Sequence, residues 1–297
     1  MRGHRFSRPC GTDLISDLFP ALKSRAIFKK SLWDFGLLAA LVWFLAVGAA
    51  AAETTNTLSD AEIQGRQLAQ QLCNGQPTEN LTNTGVLEIR DRNGKRTTIP
   101  VKFKVILTSS NWQSLYSAKF LDQTNEITRT RTGNTVVISH KPNSENHYEE
   151  VLAFSSVNGF SVGPNGISKS TLLESETLRP FVNSDFWLCD LGLEFFHWPA
   201  QKVLPKTTNL KRSREYTLLE STNPNPPTNG YSRVRSWIDK ETGGILEAEA
   251  YDFNGKLLKD FAPKSFKKVN GQWELQEMEI RNVQTGSRTR LEFDLKK

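Results

Sequence analysis

Most of this chain alternates between apolar and polar positions. In VKFKVIL, Val101, Phe103, Val105 and Leu107 face one way while Lys102 and Lys104 face the other, the signature of an antiparallel strand with one wet side. The last such run, SRTRLEFDL, repeats it with Thr289, Leu291, Phe293 and Leu295 against Arg290, Glu292 and Asp294. Ahead of it come REYTLLE, SRVRSWID, GILEAEAYD, GKLLKDF and WELQEMEIRN, with turn signals at Asn229-Gly230, Gly243-Gly244, Asn254-Gly255, Asn270-Gly271 and Thr285-Gly286. Near the start, Asn93-Gly94 between strand-like runs is a two-residue hairpin signal. Trp112–Phe120, Glu126–Arg131 and Thr135–Ser139 read as further strands, and the stretches from Ser144 to Gly166 and from Ser221 to Gly230 as loops. About ten or eleven strands with hairpin connections predict one strongly curved antiparallel sheet or an open, incomplete barrel, mainly β with few helices. No strand–helix–strand alternation points to a parallel core.

Two segments break the two-residue period. From Leu58, LSDAEIQGRQLAQQLCNG predicts an amphipathic helix: Ser59 and Glu62 form a capping box, Ile63, Leu68 and Leu72 fall near helical spacing, and Asn74-Gly75 is a stop. It is expected to cover one face of the sheet. The second is SDFWLCDLGLEFFHWPAQ, Ser184 to Gln201. Asn183 or Ser184 can cap a helix there, with Asp185 in its first turn. At helical pitch Phe186, Trp187, Leu188, Leu191, Leu193, Phe195, Phe196 and Trp198 share no single stripe; Gly192 is expected to divide the segment into two short helices and Pro199 to end the second. An element apolar on every side must be enclosed or border a cavity. Either these rings fill the concave face of the sheet, or they line and close a pocket able to accept an acyl chain. In the second reading the sheet partners chosen from strand alternation are Trp112 and Trp237.

Charge changes the picture only at the N-terminus. The chain of 297 residues carries a formal +6, but residues 1–52 hold seven Lys/Arg against three Asp. The remainder has 31 basic and 29 acidic side chains, well spread, so no nucleic-acid footprint exists. After the basic run to Lys30 comes FGLLAALVWFLAVGAAAA, Phe35 to Ala52, and then polar ETTNTLSD. This order marks a secretory signal peptide with cleavage near Ala52; the alternative is an uncleaved inner-membrane anchor, since eighteen apolar residues sit at the lower limit for a bilayer span. The mature chain, 53–297, is expected to be one domain, a monomer, and periplasmic. Export leaves Cys73 and Cys189, either a possible disulfide or two separately buried thiols.

Candidate chemistry is sparse. Gly159-Phe160-Ser161-Val162-Gly163 fits G-x-S-x-G, but Pro164-Asn165-Gly166 follows where a nucleophile elbow needs a helix. His140 and His147, in the expected polar loop, and His197 lack metal-ligand spacing. Glu149-Glu150 and Glu247 with Glu249 read as solvent-facing. No phosphate loop or dinucleotide fingerprint is present, so no enzyme, metal or cofactor is expected.

The run SDFWLCDLGLEFFHWPAQ, followed by NPNPP, YSRVRSWIDKETGGILEAEAYDFNGKLLKDFAPKSFKKVNGQWELQEMEIRN and TGSRTRLEFD, resembles the bacterial outer-membrane lipoprotein-sorting proteins, the LolA-like family. The resemblance covers most of 59–297. It implies an incomplete antiparallel barrel with helices in its open mouth, and a carrier that holds lipoprotein acyl chains or another lipid in a hydrophobic cavity, taking cargo from an inner-membrane donor to an outer-membrane acceptor. Other members of the superfamily sense or bind lipids and lipoproteins, so a sensor or tethered scaffold is the second expectation. On this reading the cavity and lid residues are Trp112, Phe186, Trp187, Leu188, Leu191, Phe195, Phe196, Trp198 and Trp237. The carrier family's lid-locking residue maps onto no position here.

Overall fold

Alternation sustained over so much of the chain produces one continuous sheet. The computed structural model describes residues 58–122, 129–156, 166–269 and 272–295. Its strands are β1 (Leu81–Arg90), β2 (Arg96–Leu107), β3 (Trp112–Asp122), β4 (Arg129–His140), β5 (His147–Ser156), β6 (Ile167–Thr171), β7 (Ala200–Leu204), β8 (Tyr216–Thr222), β9 (Tyr231–Asp239), β10 (Ile245–Asp252), β11 (Leu257–Val269), β12 (Gln272–Asn282) and β13 (Arg288–Phe293). They form a 13-stranded sheet in the order β6-β5-β4-β3-β2-β1-β13-β12-β11-β10-β9-β8-β7, antiparallel throughout. First and last strands meet in the middle of the sheet, where Leu87 faces Leu291 and Gly85 faces Phe293. The two free edges are β6 and β7, which are neighbours in sequence but not hydrogen-bonded to each other. The barrel is thus open along one seam. The link between its edges carries a 3-10 turn (Glu174–Thr177), helix α2 (Leu188–Leu191) and a second 3-10 turn (Glu194–His197). Helix α1 (Asp60–Cys73) precedes the sheet.

Several expectations need correction. The count of ten or eleven strands falls short because His147–Ser156, read as loop, is β5, and the edge strands β6 and β7 were missed; Glu126–Arg131 and Thr135–Ser139 are not two strands, since Arg129–His140 is one. The Asn93-Gly94 hairpin is longer than two residues. Arg90 pairs with Arg96, and the Asp91 carboxylate accepts from the N–H groups of Asn93 and Lys95 while Gly94 takes φ +85°. The same arrangement recurs where Asp252 accepts from the Lys256 N–H and Gly255 takes φ +73°. The expected signal segment, 1–52, and Ser161 of the G-x-S-x-G string lie outside the described residues.

The two faces differ sharply. On the concave side Leu87, Ile99, Phe103, Val105, Tyr116, Val136, Ile138, Val234, Ile238, Ala248, Ala250, Met278, Ile280, Leu291 and Phe293 form one continuous core. The convex side carries cross-strand ion pairs such as Lys264–Glu279 (2.9 Å), Arg290–Glu277 (2.8 Å), Arg235–Glu220 (2.7 Å) and Arg281–Asp260. Helix α1 begins with the expected box, Ser59 and Glu62 capping each other, and ends at Asn74. Its buried face is Gly65, Ala69 and Leu72, whereas Ile63 is 42% exposed. The shift follows from how closely α1 lies on the β7 backbone. A methyl group at Gly65 would stand 2.5 Å from the Lys202 amide nitrogen.

Candidate functional site

The concave hollow is occupied by the link between the edges. Residues 178–198 enter it as an irregular strip, pinned to itself where the Phe181 N–H donates to the Phe186 carbonyl and the Leu188 N–H to the Arg179 carbonyl. Phe181, Phe186, Leu188, Cys189, Leu191, Phe195 and Phe196 are buried and belong to the same core as the sheet wall. The expected helix start at Asn183 or Ser184 is displaced: α2 begins after Trp187, and Asp190 caps it by accepting from the Trp187 N–H at 2.8 Å. Gly192 does end α2, and its hydrogen side is pressed on the Tyr148 hydroxyl so closely that a Cβ would lie 2.0 Å away. Asp185 instead faces β13, where it accepts from the hydroxyls of Ser287 and Thr289.

What remains of the hollow is small. One cavity of about 40 Å³ lies between Phe186, Phe195, Val234, Ala248, Met278 and Ile280, and another of about 20 Å³ between Phe103, Tyr116, Phe181, Leu191 and Leu291. Each has room for about one to a few water molecules, against the hundreds of Å³ of an ordinary ligand site. Among the described residues, the strip therefore fills the concave face. A larger groove of about 510 Å³, half polar, opens beside it between the β4–β5 turn, the Glu174–Thr177 turn and the β8–β9 loop. Phe195 and Tyr231 line both this groove and the 40 Å³ cavity, forming the partition between outside and inside.

Polar groups of the wall fasten the strip. The Tyr116 hydroxyl donates to the Leu191 carbonyl (3.1 Å), Asn146 to the Gly192 carbonyl (2.9 Å), and the Gln201 amide to the carbonyls of Phe195 and Trp198 (2.9 Å each). Glu194 accepts from the Tyr148 hydroxyl (2.8 Å) and the Asn146 amide (3.0 Å). Burial outweighs those donors and raises the Glu194 carboxyl to about 7. The most concentrated contact joins Asp190 to the wall. Lys259 on β11, 2% exposed, donates to Asp190 at 3.1 Å, and the Tyr231 hydroxyl donates to the same carboxylate at 2.9 Å. The Lys259 ammonium also stands 3.6 Å from the centre of the Trp187 ring, which stacks on Tyr231 at 4.7 Å. Burial pushes the Lys259 pKa down while Asp190 opposes the shift.

The expected site residues divide. Phe186, Leu188, Leu191, Phe195 and Phe196 are inside the hollow, and Trp187 and Trp198 are half-buried at its margin, Trp198 edge-on to Phe195. Trp112 is on the concave face, stacked on His140 at 5.1 Å, but lines neither inner cavity. Trp237 is not a partner of the strip. On β9 the concave positions are Val234, Ser236 and Ile238, so Trp237 points outward, where it packs with Tyr216 and Leu218 beneath the Lys211 ammonium. Cys73 and Cys189 are free thiols, both raised by burial, and the disulfide is not formed. His140 is no solvated loop residue: it is hydrogen-bonded to Ser114 and Asn146 and buried, and burial drives its pKa down to about 4 while the Asn146 contact opposes the shift. Glu150 likewise is buried, hydrogen-bonded by Asn134 and paired with Arg179. The residues that sequence reasoning missed are Lys259, Asp190 and Tyr231. Only for Lys259 was there a signal, because Lys259 and Phe261 lie two apart on one strand and must share a face.

A family model described as "-like: Uncharacterized protein" matches residues 169–296, from β6 through β13. No curated protein sequence matches the chain. Among solved structures, a DUF1329 family protein from Desulfovibrio piger superposes with a TM-score of 0.56 at 18% identity, over 80% of this chain and 92% of its own. A domain from Vibrio parahaemolyticus, assigned by description to outer membrane lipoprotein sorting, gives 0.56 at 18% identity over 79% and 92%. A LolA superfamily protein from Nitrosomonas europaea gives 0.49 at 13% identity over 80% and 93%. The incomplete antiparallel barrel of this chain is a fold it shares with the Desulfovibrio piger and Vibrio parahaemolyticus structures.

Proposed function

We propose that this protein is an exported, non-enzymatic carrier that holds the acyl chains of lipoproteins, or of another lipid, in the hollow of its open barrel. One observation carries the reading: the hollow is apolar, and what fills it is not part of the sheet but the link between its two free edges. Such a strip can leave without breaking the ladders that hold the barrel. The energies match. Burying five side chains such as Phe186, Leu188, Leu191, Phe195 and Phe196 contributes roughly 8–15 kcal/mol, and a chain of about sixteen carbons contributes about 13 kcal/mol, at about 0.8 per CH₂. Exchange near balance is what a carrier needs, since it must accept a lipid that cannot cross water alone and still release it. Residues 1–52 are the export segment in this reading and 53–297 one periplasmic domain, acting as a monomer between a donor at the inner membrane and an acceptor at the outer one.

The number of hydrogen bonds fastening the strip favours a second reading, a lipid- or lipoprotein-responsive sensor or tethered scaffold in which release of the strip signals to a protein partner. Mass spectrometry of organic extracts from protein purified out of its native envelope tests the binding common to both; lipid or lipoprotein near one equivalent is expected, and none in any preparation contradicts both. Handing a bound lipopeptide to acceptor vesicles then distinguishes the carrier, which does so, from the sensor, which does not.

A further inference from the structure

Lys259 has a consequence for what the hollow can hold. Among the described residues it is the one buried lysine or arginine, and it belongs to the wall, whereas its counter-ion Asp190 and the Trp187 ring over it belong to the strip. Apart from Glu150, a wall carboxylate that pairs with Arg179 at 2.8 Å and keeps the Asn134 amide as a second partner, the other contacts across this boundary have neutral groups on the wall side: the hydroxyls of Tyr116, Tyr148, Ser287 and Thr289, and the amides of Asn146 and Gln201. When the strip leaves, these find water or a carbonyl at modest cost. Lys259 loses both its carboxylate and the Trp187 ring, and keeps only the more distant Tyr231 ring, 5.2 Å away, in an otherwise aliphatic wall of Val234, Ile245, Ala248, Ala250, Met278 and Ile280. Removing one member of a buried ion pair is strongly destabilising, because the remaining charge has lost its partner without regaining water. An uncharged acyl chain in the hollow cannot restore it.

We propose that the ligand which displaces the strip is an amphiphile bearing an oxyanion, a carboxylate or a phosphate, and that this group takes over Lys259 and the Tyr231 hydroxyl from Asp190. The inference rests on the carrier reading and names the class of lipid for it. The Asp190 carboxylate is the internal stand-in: it already accepts from Lys259 and from Tyr231, two wall donors suited to any small oxyanion. Phe195 and Tyr231, shared by the outer groove and the inner cavity, place the Lys259 pocket directly behind the entrance. Its depth distinguishes it from the convex ion pairs, which are solvent-exposed and screened.

The test measures binding of the full-length protein to four probes with the same saturated chain: a fatty acid, an alkyl phosphate, the corresponding alcohol and the methyl ester. At least one anionic probe is expected to bind about ten-fold or more tightly than the neutral ones, the scale of a charged hydrogen bond. Preference for the acid, the phosphate or both identifies the source of the oxyanion. Asp190→Asn is expected to tighten the anionic probe while moving the neutral ones little, because it removes the competitor; a merely structural ion pair would instead weaken both. Lys259→Met combined with Asp190→Asn, which leaves no unpaired charge, is expected to erase the preference, and Lys259→Arg to keep it. Equal binding of neutral and anionic probes, or a preference surviving in the double variant, overturns the proposal and leaves the carrier reading standing. Absence of binding by all four overturns both.

Discussion

At the residue scale the strip is held by side chains whose charge depends on burial, and Glu194 makes that measurable. Its carboxyl, ordinarily near 4.5, titrates at about 7 in the docked strip, with burial as the main cause, the neighbouring carboxylates of Glu174 and Glu145 adding to the rise, and the Tyr148 and Asn146 donors opposing it. A raised carboxyl favours the docked state while protonated, so its contribution is complete below about pH 4.5 and is lost as the pH climbs through 7. His140 and His197, both lowered by burial, work in the opposite sense and lose stability on acidification. Comparison with Glu194→Gln isolates the carboxyl. Denaturant unfolding from pH 4.5 to 7.5 is expected to show a decline in stability in the native chain relative to the variant; parallel curves contradict the role given to Glu194.

At the scale of elements the seating of α1 shows how a small residue sets a packing distance. Gly65 lets the helix rest on the β7 backbone, where no flexible side chain can yield. Gly65→Val is expected to cost about 1–3 kcal/mol through overpacking, whereas Ile63→Ser, on the exposed face, is expected to stay within about 0.5 kcal/mol. Equal midpoints in urea for the two variants would contradict this seating. The same helix illustrates what sequence could and could not show. Its capping box and length were legible because they are local. Its buried face was legible only in part: Leu72 is buried and Leu68 packs against the core, but Ile63 faces solvent, and a helical stripe of apolar residues gives no weight to Gly65. Strands β8–β13 were legible from alternation, but β6 (ISKST) is an exposed edge whose single apolar residue, Ile167, makes no alternation. β5 was hidden by Glu149-Glu150, where Glu150 turns inward only because Asn134 and Arg179 satisfy it. Alternation also fixes which residues share a face without saying which face is concave, and that is why Trp237 was placed in the hollow while Lys259 escaped notice.

For the whole molecule, the decisive feature is topology. Because β1 joins β13 in the middle of the sheet, the open seam falls in the middle of the sequence, between β6 and β7, and the connection across it lies where a barrel would be hollow. Ladders on both sides are complete without it. In the proposed carrier the strip and a lipid chain compete for one wall, and neither needs the sheet to unfold.

That competition is directly observable by hydrogen exchange of backbone amides, with and without a bound amphiphile. The account predicts that saturating ligand lowers protection at residues 181–197 while β9–β12 stay protected or gain. Unchanged protection throughout the strip, with ligand demonstrably bound, would place the lipid elsewhere and contradict the central claim.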